Sequence, residues 1–79
     1  MDKQEKPYLD RMLDEEKQLG ERIEKLRQFI INNKLFHTFP LRKRRLMEGQ
    51  FYAMMNYQHF LRERITLEDE NALAESYNS

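Results

Sequence analysis

Three groups of residues in this 79-residue chain have the types and spacing for chemistry: the run Arg42-Lys43-Arg44-Arg45, the pair Tyr8 and Arg11, and the histidines His37 and His59. The four consecutive cations fall in the first turns of an expected helix, where the macrodipole favours negative residues and positive ones cost stability. Something must offset that cost. Pairing with the acids of the first helix, within one chain or between copies, would do so, and so would a phosphate-bearing ligand or nucleic acid. Tyr8 stands one residue past Pro7, with Arg11 on the same helical face. A flat ring beside a cation suits a nucleobase and its phosphate, and it equally suits plain packing at a helix end.

Catalysis finds little support, and no enzyme is expected. His37 and His59 lie in different elements without metal-ligand spacing to a third group, and they read as a turn residue and a helix-surface residue. The chain has no Gly-rich phosphate loop, no nucleophile elbow and no HExxH pattern. Asp14-Glu15-Glu16 read as ordinary solvated helix charges. With no cysteine, disulfides and thiolate metal sites are excluded, and no cofactor is expected.

A chain of this size must position such residues with few elements. It holds one domain, near the length at which a lone hydrophobic core becomes marginal, so it relies on good helix packing or on oligomerisation. An apolar share of 39% beside a charged share of 35% suits long helices with an apolar stripe and wet flanks. Only two Gly and two Pro punctuate it, so the elements should be long. No apolar run approaches the roughly 18 residues of a membrane span, and the polar N-terminus does not read as a signal peptide, which makes the cytoplasm the expected location. Net charge is zero but unevenly placed: residues 1–34 balance eight acids against eight bases, 41–65 carry six bases and two acids, and the tail from Thr66 holds four acids and no base. That balance argues against bulk nucleic-acid coating while leaving a local grip on a small anion open.

The pattern predicts an all-α, antiparallel helical hairpin with an N-terminal helical arm and a short C-terminal helix. The first helix spans about 7–33, with Leu9, Met12, Leu19, Ile23, Leu26 and Ile30 on a seam of alternating three- and four-residue steps. Glu16 interrupts that seam and Gly20 weakens the helix by about 1 kcal/mol, so a bend or break is expected around residues 16–20. Asn32 and Asn33 suit a left-handed C-cap. Phe36 and Phe39 read as plugs closing the hairpin, with Thr38 as N-cap of a second helix over about 40–65. On that helix Leu46, Met47, Gln50, Phe51, Met54, Tyr57, Leu61 and Ile65 form one stripe, and Tyr52, Met55 and Phe60 lie outside it. A helix apolar on more than one face meets more than one partner, so copies of the chain are expected to complete the core. Thr66-Leu67-Glu68-Asp69 has the form of a capping box for a third helix over about 67–75.

The order of these residues resembles one family. Pro7-Tyr8-x-x-Arg11 is followed by Arg22-x-x-Lys25-Leu26-x-x-Phe29-Ile30 and Phe36-x-x-Phe39-Pro40, and then by Gln50-x-x-x-Met54-x-x-Tyr57-x-x-x-Leu61-x-x-Arg64-Ile65. Over about residues 7–65 this resembles the hairpin of phage anti-CBASS sponge proteins, to which sponges directed against Thoeris defence are related.

The resemblance implies a compact helical homo-oligomer, a hexamer, that binds cyclic oligonucleotide second messengers without cleaving them in the cytoplasm of the infected bacterium. Holding the signal between subunits starves the defence effector. The implied ligands are cyclic dinucleotides such as cGAMP and, in a second pocket type, cyclic trinucleotides, with no membrane or nucleic-acid partner. By the same implication Tyr8 is the stacking aromatic, with Arg11 beside it, and Lys25 is the phosphate-binding cation, with Arg22 as its alternative. Arg27 stands where a smaller polar residue is expected, which puts the trinucleotide site in doubt, and Arg64, or else Arg62, supplies that site's arginine. The Arg42–Arg45 run lies outside the family pattern. Two other readings stay open: a helical adaptor or inhibitor docking on a host protein, and a nucleic-acid-binding hairpin.

Overall fold

Residues 7–78 are described by the computed structural model. Two long antiparallel helices dominate it: α1 (Pro7–Asn32) and α3 (Leu41–Glu68), joined through a five-residue helix α2 (Lys34–Thr38) and followed by α4 (Ala72–Asn78). Cross-hairpin pairs establish the antiparallel sense, since Tyr8 meets Glu68, Glu16 meets Arg62 and Phe29 meets Phe39. No described helix is long and apolar enough to cross a membrane.

The core sits at the open end of the hairpin. Leu9, Met12, Leu19 and Ile23 of α1 face Leu61 and Ile65 of α3 and Ala72 of α4, and Leu13, Phe51, Met54 and Leu73 pack against this cluster. Leu61 and Ile65 are fully buried because α4 folds back over them. The turn end is closed separately. Phe29, Phe36 and Phe39 form an aromatic cluster with centroids 5.9–6.5 Å apart, and Phe36 is buried as the expected plug.

No break occurs at Glu16 or Gly20; α1 runs through both. The buried positions are Leu9, Met12, Glu16, Leu19 and Ile23, an unbroken three-four alternation with the carboxylate inside the seam. Glu16 is 1% exposed, and burial of an ionised carboxylate requires hydrogen-bonded partners. Arg62 Nε donates to Glu16 Oε2 at 2.7 Å, Gln58 Nε2 donates to the same oxygen at 3.3 Å, and the Tyr77 hydroxyl donates to Oε1. A Cβ at Gly20 would lie 3.3 Å from Gln58 Nε2, so the missing side chain leaves room for this donor. The partners come from α3 and α4, which is why one helix read alone showed only an interruption.

The caps differ from expectation in similar ways. Asn33 is extended (φ −91°, ψ 122°), not left-handed, and its side chain accepts a hydrogen bond from Leu35 N–H to start α2. Thr38 ends α2 by donating to Leu35 O at 2.7 Å and does not cap α3; Pro40 occupies that N-cap position without a side-chain bond. Thr66 lies inside α3, which continues to Glu68, and Asp69 closes it and shapes the turn into α4: its carboxylate accepts from Asn71 N–H and its carbonyl from Ala72 N–H.

Beyond the core, α3 exposes a second apolar set. Tyr52, Met55 and Phe60, expected outside the stripe, are between 43% and 67% exposed, and so is Leu46, expected on it, whereas Met47 and Met54 are half-buried between the helices.

The Glu16 cluster is testable by two substitutions measured by thermal unfolding. Arg62→Ala strands a buried charge; with Arg62 itself 47% exposed, the loss should be about 2 kcal/mol, below the roughly 3–5 kcal/mol of a fully buried pair. Glu16→Leu should cost less than Arg62→Ala, because it restores an apolar seam and leaves Arg62 and Tyr77 able to rehydrate.

Candidate ligand-binding site

Pro7 opens α1, and Tyr8 follows in its first turn. The Tyr8 hydroxyl donates to Glu68 Oε1, 2.7 Å away at the last residue of α3, while the residue as a whole is 43% exposed. The Glu68 carboxylate stabilises the phenol over the phenolate and holds the Tyr8 pKa above its ordinary value. Arg11, one turn further along, is exposed.

Arg22 and Lys25 lie on a later stretch of α1. With Leu26 and Phe29 of that helix and Met47, Gln50 and Met54 of α3 they line an open recess of about 520 Å³. Its walls are mainly apolar, and both cations belong to α1. Lys25 and Phe29 also line an adjoining recess of about 310 Å³ with Gln28, Asn32 and Asn33. Lys25 therefore stands between two hollows, and Arg22 borders one.

Arg27 belongs to a different face. Two residues from Lys25 along a helix of 3.6 residues per turn is a rotation of about 200°, which puts the two side chains on nearly opposite sides. Arg27 lines a third recess of about 210 Å³ with Ile30, Ile31, Glu48, Phe51 and Tyr52. Its Nε and one terminal nitrogen each lie 3.0 Å from a Glu24 oxygen, a two-point pairing that Gln28 supplements. Arg27, and then Gln28, hold the Glu24 pKa below its usual value, and Glu24 in turn raises that of Arg27. Arg64 is exposed on α3, close enough to Tyr57 to oppose the effect of Glu15 on that phenol, whose hydroxyl donates to Glu15. Arg62 is committed to Glu16.

One chain does not bring all these residues together. Lys25 lies seventeen positions after Tyr8, and at 1.5 Å per residue they stand about 25 Å apart along α1. Tyr8 and Arg11 mark the open end, while Arg22 and Lys25 mark the middle.

Three of the four residues of the Arg42–Arg45 run have partners nearby in the chain, and none of these partners is an acid of α1. Lys43 Nζ lies 3.8 Å from the centroid of the Phe39 ring, Arg44 Nε donates to Phe39 O at 3.1 Å, and Arg45 pairs with Glu48 at 3.0 Å. Phe39 and Glu48 thus offset part of the dipole cost inside the turn and the first turns of α3. His37 packs edge-on to Phe36 and His59 to Phe60, and both are exposed. Among the described residues no group of three or more His, Asp or Glu could hold a metal ion.

Fold and site define a small helical hairpin protein with cation-lined hollows along one helix and an anchored tyrosine at its start. The chain belongs to the Sequestin family, whose family model matches residues 6–67, from the start of α1 to within one residue of the end of α3. This is the family of phage sponges directed against CBASS and Thoeris that the sequence resembles. No curated protein and no solved structure matches the chain.

Sequence reasoning missed Glu68 and Glu15, the anchors of Tyr8 and Tyr57. Acids sixty and forty-two positions away carry no local signal, and only the hairpin register reveals them.

The tyrosines predict an alkaline limit to stability. Tyr8 and Tyr57 have pKa values raised chiefly by hydrogen bonds to Glu68 and Glu15, and Tyr77 chiefly by burial and then by Glu16. The folded state holds these protons more tightly than the unfolded chain. Their contribution is therefore complete below the ordinary value of 10.0 and is lost as pH rises through the folded-state values. Ultraviolet titration should show the native phenols ionising at higher pH than those of the urea-unfolded chain, and coincident curves would contradict the pairing.

Proposed function

We propose that this protein binds cyclic oligonucleotide second messengers and sequesters them uncleaved, disarming CBASS-type defence in the cytoplasm of an infected bacterium. The observation that carries the reading is the recess beside Arg22 and Lys25, in which cations adjoin an apolar surface of Leu26, Phe29, Met47 and Met54. Such a surface accepts a purine face while the cations meet phosphate. Membership of the Sequestin family supports a sequestering role.

The ligand sites form between copies of the chain. Tyr8 and Lys25 are too far apart on one rigid helix to grip one cyclic dinucleotide, so Tyr8 of one copy works with Lys25 of another. Arg11 and Arg22 support the same phosphates. A two-fold interface gives each half of a cyclic dinucleotide the same residues. The exposed Leu46, Tyr52, Met55 and Phe60 supply apolar surface for assembly, with six copies the number that the family resemblance implies. Cyclic trinucleotides are the second ligand class, with Arg64 as the arginine. Arg27 serves there only by leaving Glu24, which weakens that site.

A panel of cyclic di- and trinucleotides, cGAMP included, tests this by thermal shift, because a ligand at a hundred times its dissociation constant stabilises by about 2.7 kcal/mol. Bound nucleotide should be recovered intact after denaturation; linear products would mean an enzyme. Tyr8→Ala should lower affinity by roughly 5- to 150-fold, the equivalent of the 1–3 kcal/mol of one stacked base, with the oligomer intact. Lys25→Ala should weaken binding by a similar factor through the lost charge-assisted bond. Failure of every cyclic nucleotide to bind, with a stable host-protein complex instead, would favour the adaptor reading.

A further inference from the structure

We infer that Glu68 is a positioning residue that fixes the Tyr8 ring for stacking on a ligand base. The inference rests on the reading of Tyr8 as the stacking aromatic, and it adds a residue from the opposite end of the chain.

Tyr8 lies in the first turn of α1, where helix ends fray and an exposed side chain ordinarily samples several rotamers. Here one end of the ring is tethered. Its hydroxyl reaches Glu68 Oε1 at 2.7 Å, the short distance of a bond between a phenol and an ionised carboxylate. Glu68 is itself well placed to act as a fixed post. It is the last residue of α3, half-buried, and follows the fully buried Ile65 by three positions. The next residue, Asp69, closes α3 through its N–H to Ile65 O at 3.0 Å, and its carbonyl accepts from Ala72 N–H in the turn that leads into α4. The tether leaves the ring exposed, so ordering the aromatic does not hide it. A stacking platform ordered before binding loses less entropy when the ligand arrives.

The carboxylate also biases the ligand's orientation. An anion at the hydroxyl end of the ring repels phosphate there. Arg11 lies one turn further along α1, on the same face as Tyr8. A base can therefore lie over the ring with its phosphate directed to the Arg11 side, and the reverse placement is disfavoured.

A double-mutant cycle on the full chain, read by calorimetric affinity for a cyclic dinucleotide bound by the wild type, tests the assignment. Tyr8→Phe keeps the ring and removes the tether; Glu68→Ala removes the post. Each should weaken binding by about 2- to 12-fold, the range for one side chain that must be ordered on binding. The double variant should be no weaker than the weaker single one. Glu68→Gln, whose amide oxygen still accepts from the phenol, should restore affinity. Should Glu68→Ala fail to fold, Tyr8→Phe and Glu68→Gln carry the test alone. Wild-type affinity in Tyr8→Phe, beside lost affinity in Tyr8→Ala, would overturn the positioning role and leave the sponge reading standing. Additive losses in the cycle would also overturn it. If the wild type binds no cyclic nucleotide, both fail together.

Discussion

The buried carboxylate of Glu16 is the constraint around which the rest of this hairpin is arranged. A charge with 1% exposure has no water to fall back on, so its oxygens must be satisfied by protein. Arg62 and Gln58 reach it from α3, and Tyr77 from α4. One group thus specifies how three helices meet. An apolar seam alone would tolerate sliding by one turn, since leucine and isoleucine pack acceptably in several registers; the carboxylate does not. The fixed register in turn brings Tyr8 to Glu68, Tyr57 to Glu15 and Gly20 against Gln58. Specificity of register, more than added stability, is what a polar group in a helical seam can supply.

Charge is handled differently at the other end. There the turn is sealed by aromatic packing among Phe29, Phe36 and Phe39, and the basic run beside it is absorbed by its immediate surroundings. The Phe39 ring and carbonyl take Lys43 and Arg44, and Glu48 takes Arg45. Phe39 therefore both seals the hairpin and offsets the unfavourable dipole at the start of α3. Between the sealed turn and the Glu16 junction, the middle of the hairpin carries the open recesses.

Much of this was legible in the sequence, for identifiable reasons. The alternation of Leu9, Met12, Leu19 and Ile23 follows from local geometry, as does the role of Phe36 in a turn too apolar for solvent. The excess of apolar faces on α3 could be read from Tyr52, Met55 and Phe60 by the same geometry. What could not be read depended on residues distant in the chain. Glu16 looked like an interruption because its three donors lie more than forty positions away. Thr38 and Thr66 had the right chemistry for caps, yet the helices ended elsewhere, since capping fixes an end only where tertiary packing also stops. Of the candidate site, the shared recess of Arg22 and Lys25 follows from their three-residue spacing on one helix face. The commitment of Arg62 to Glu16 and of Arg27 to Glu24 needed coordinates.

The separation of Tyr8 and Lys25 along α1 has a consequence for stoichiometry. Under the proposed reading, a chain that carries the two halves of a site about 25 Å apart on one stiff rod would be bivalent, lending one half to each of two neighbouring sites. A lone chain would then hold no complete site, and the nucleotide itself would act as a cross-link between chains. Capture would set in above a threshold concentration of protein and remain slight below it, so the length of one helix would govern how sharply the molecule responds to its own abundance.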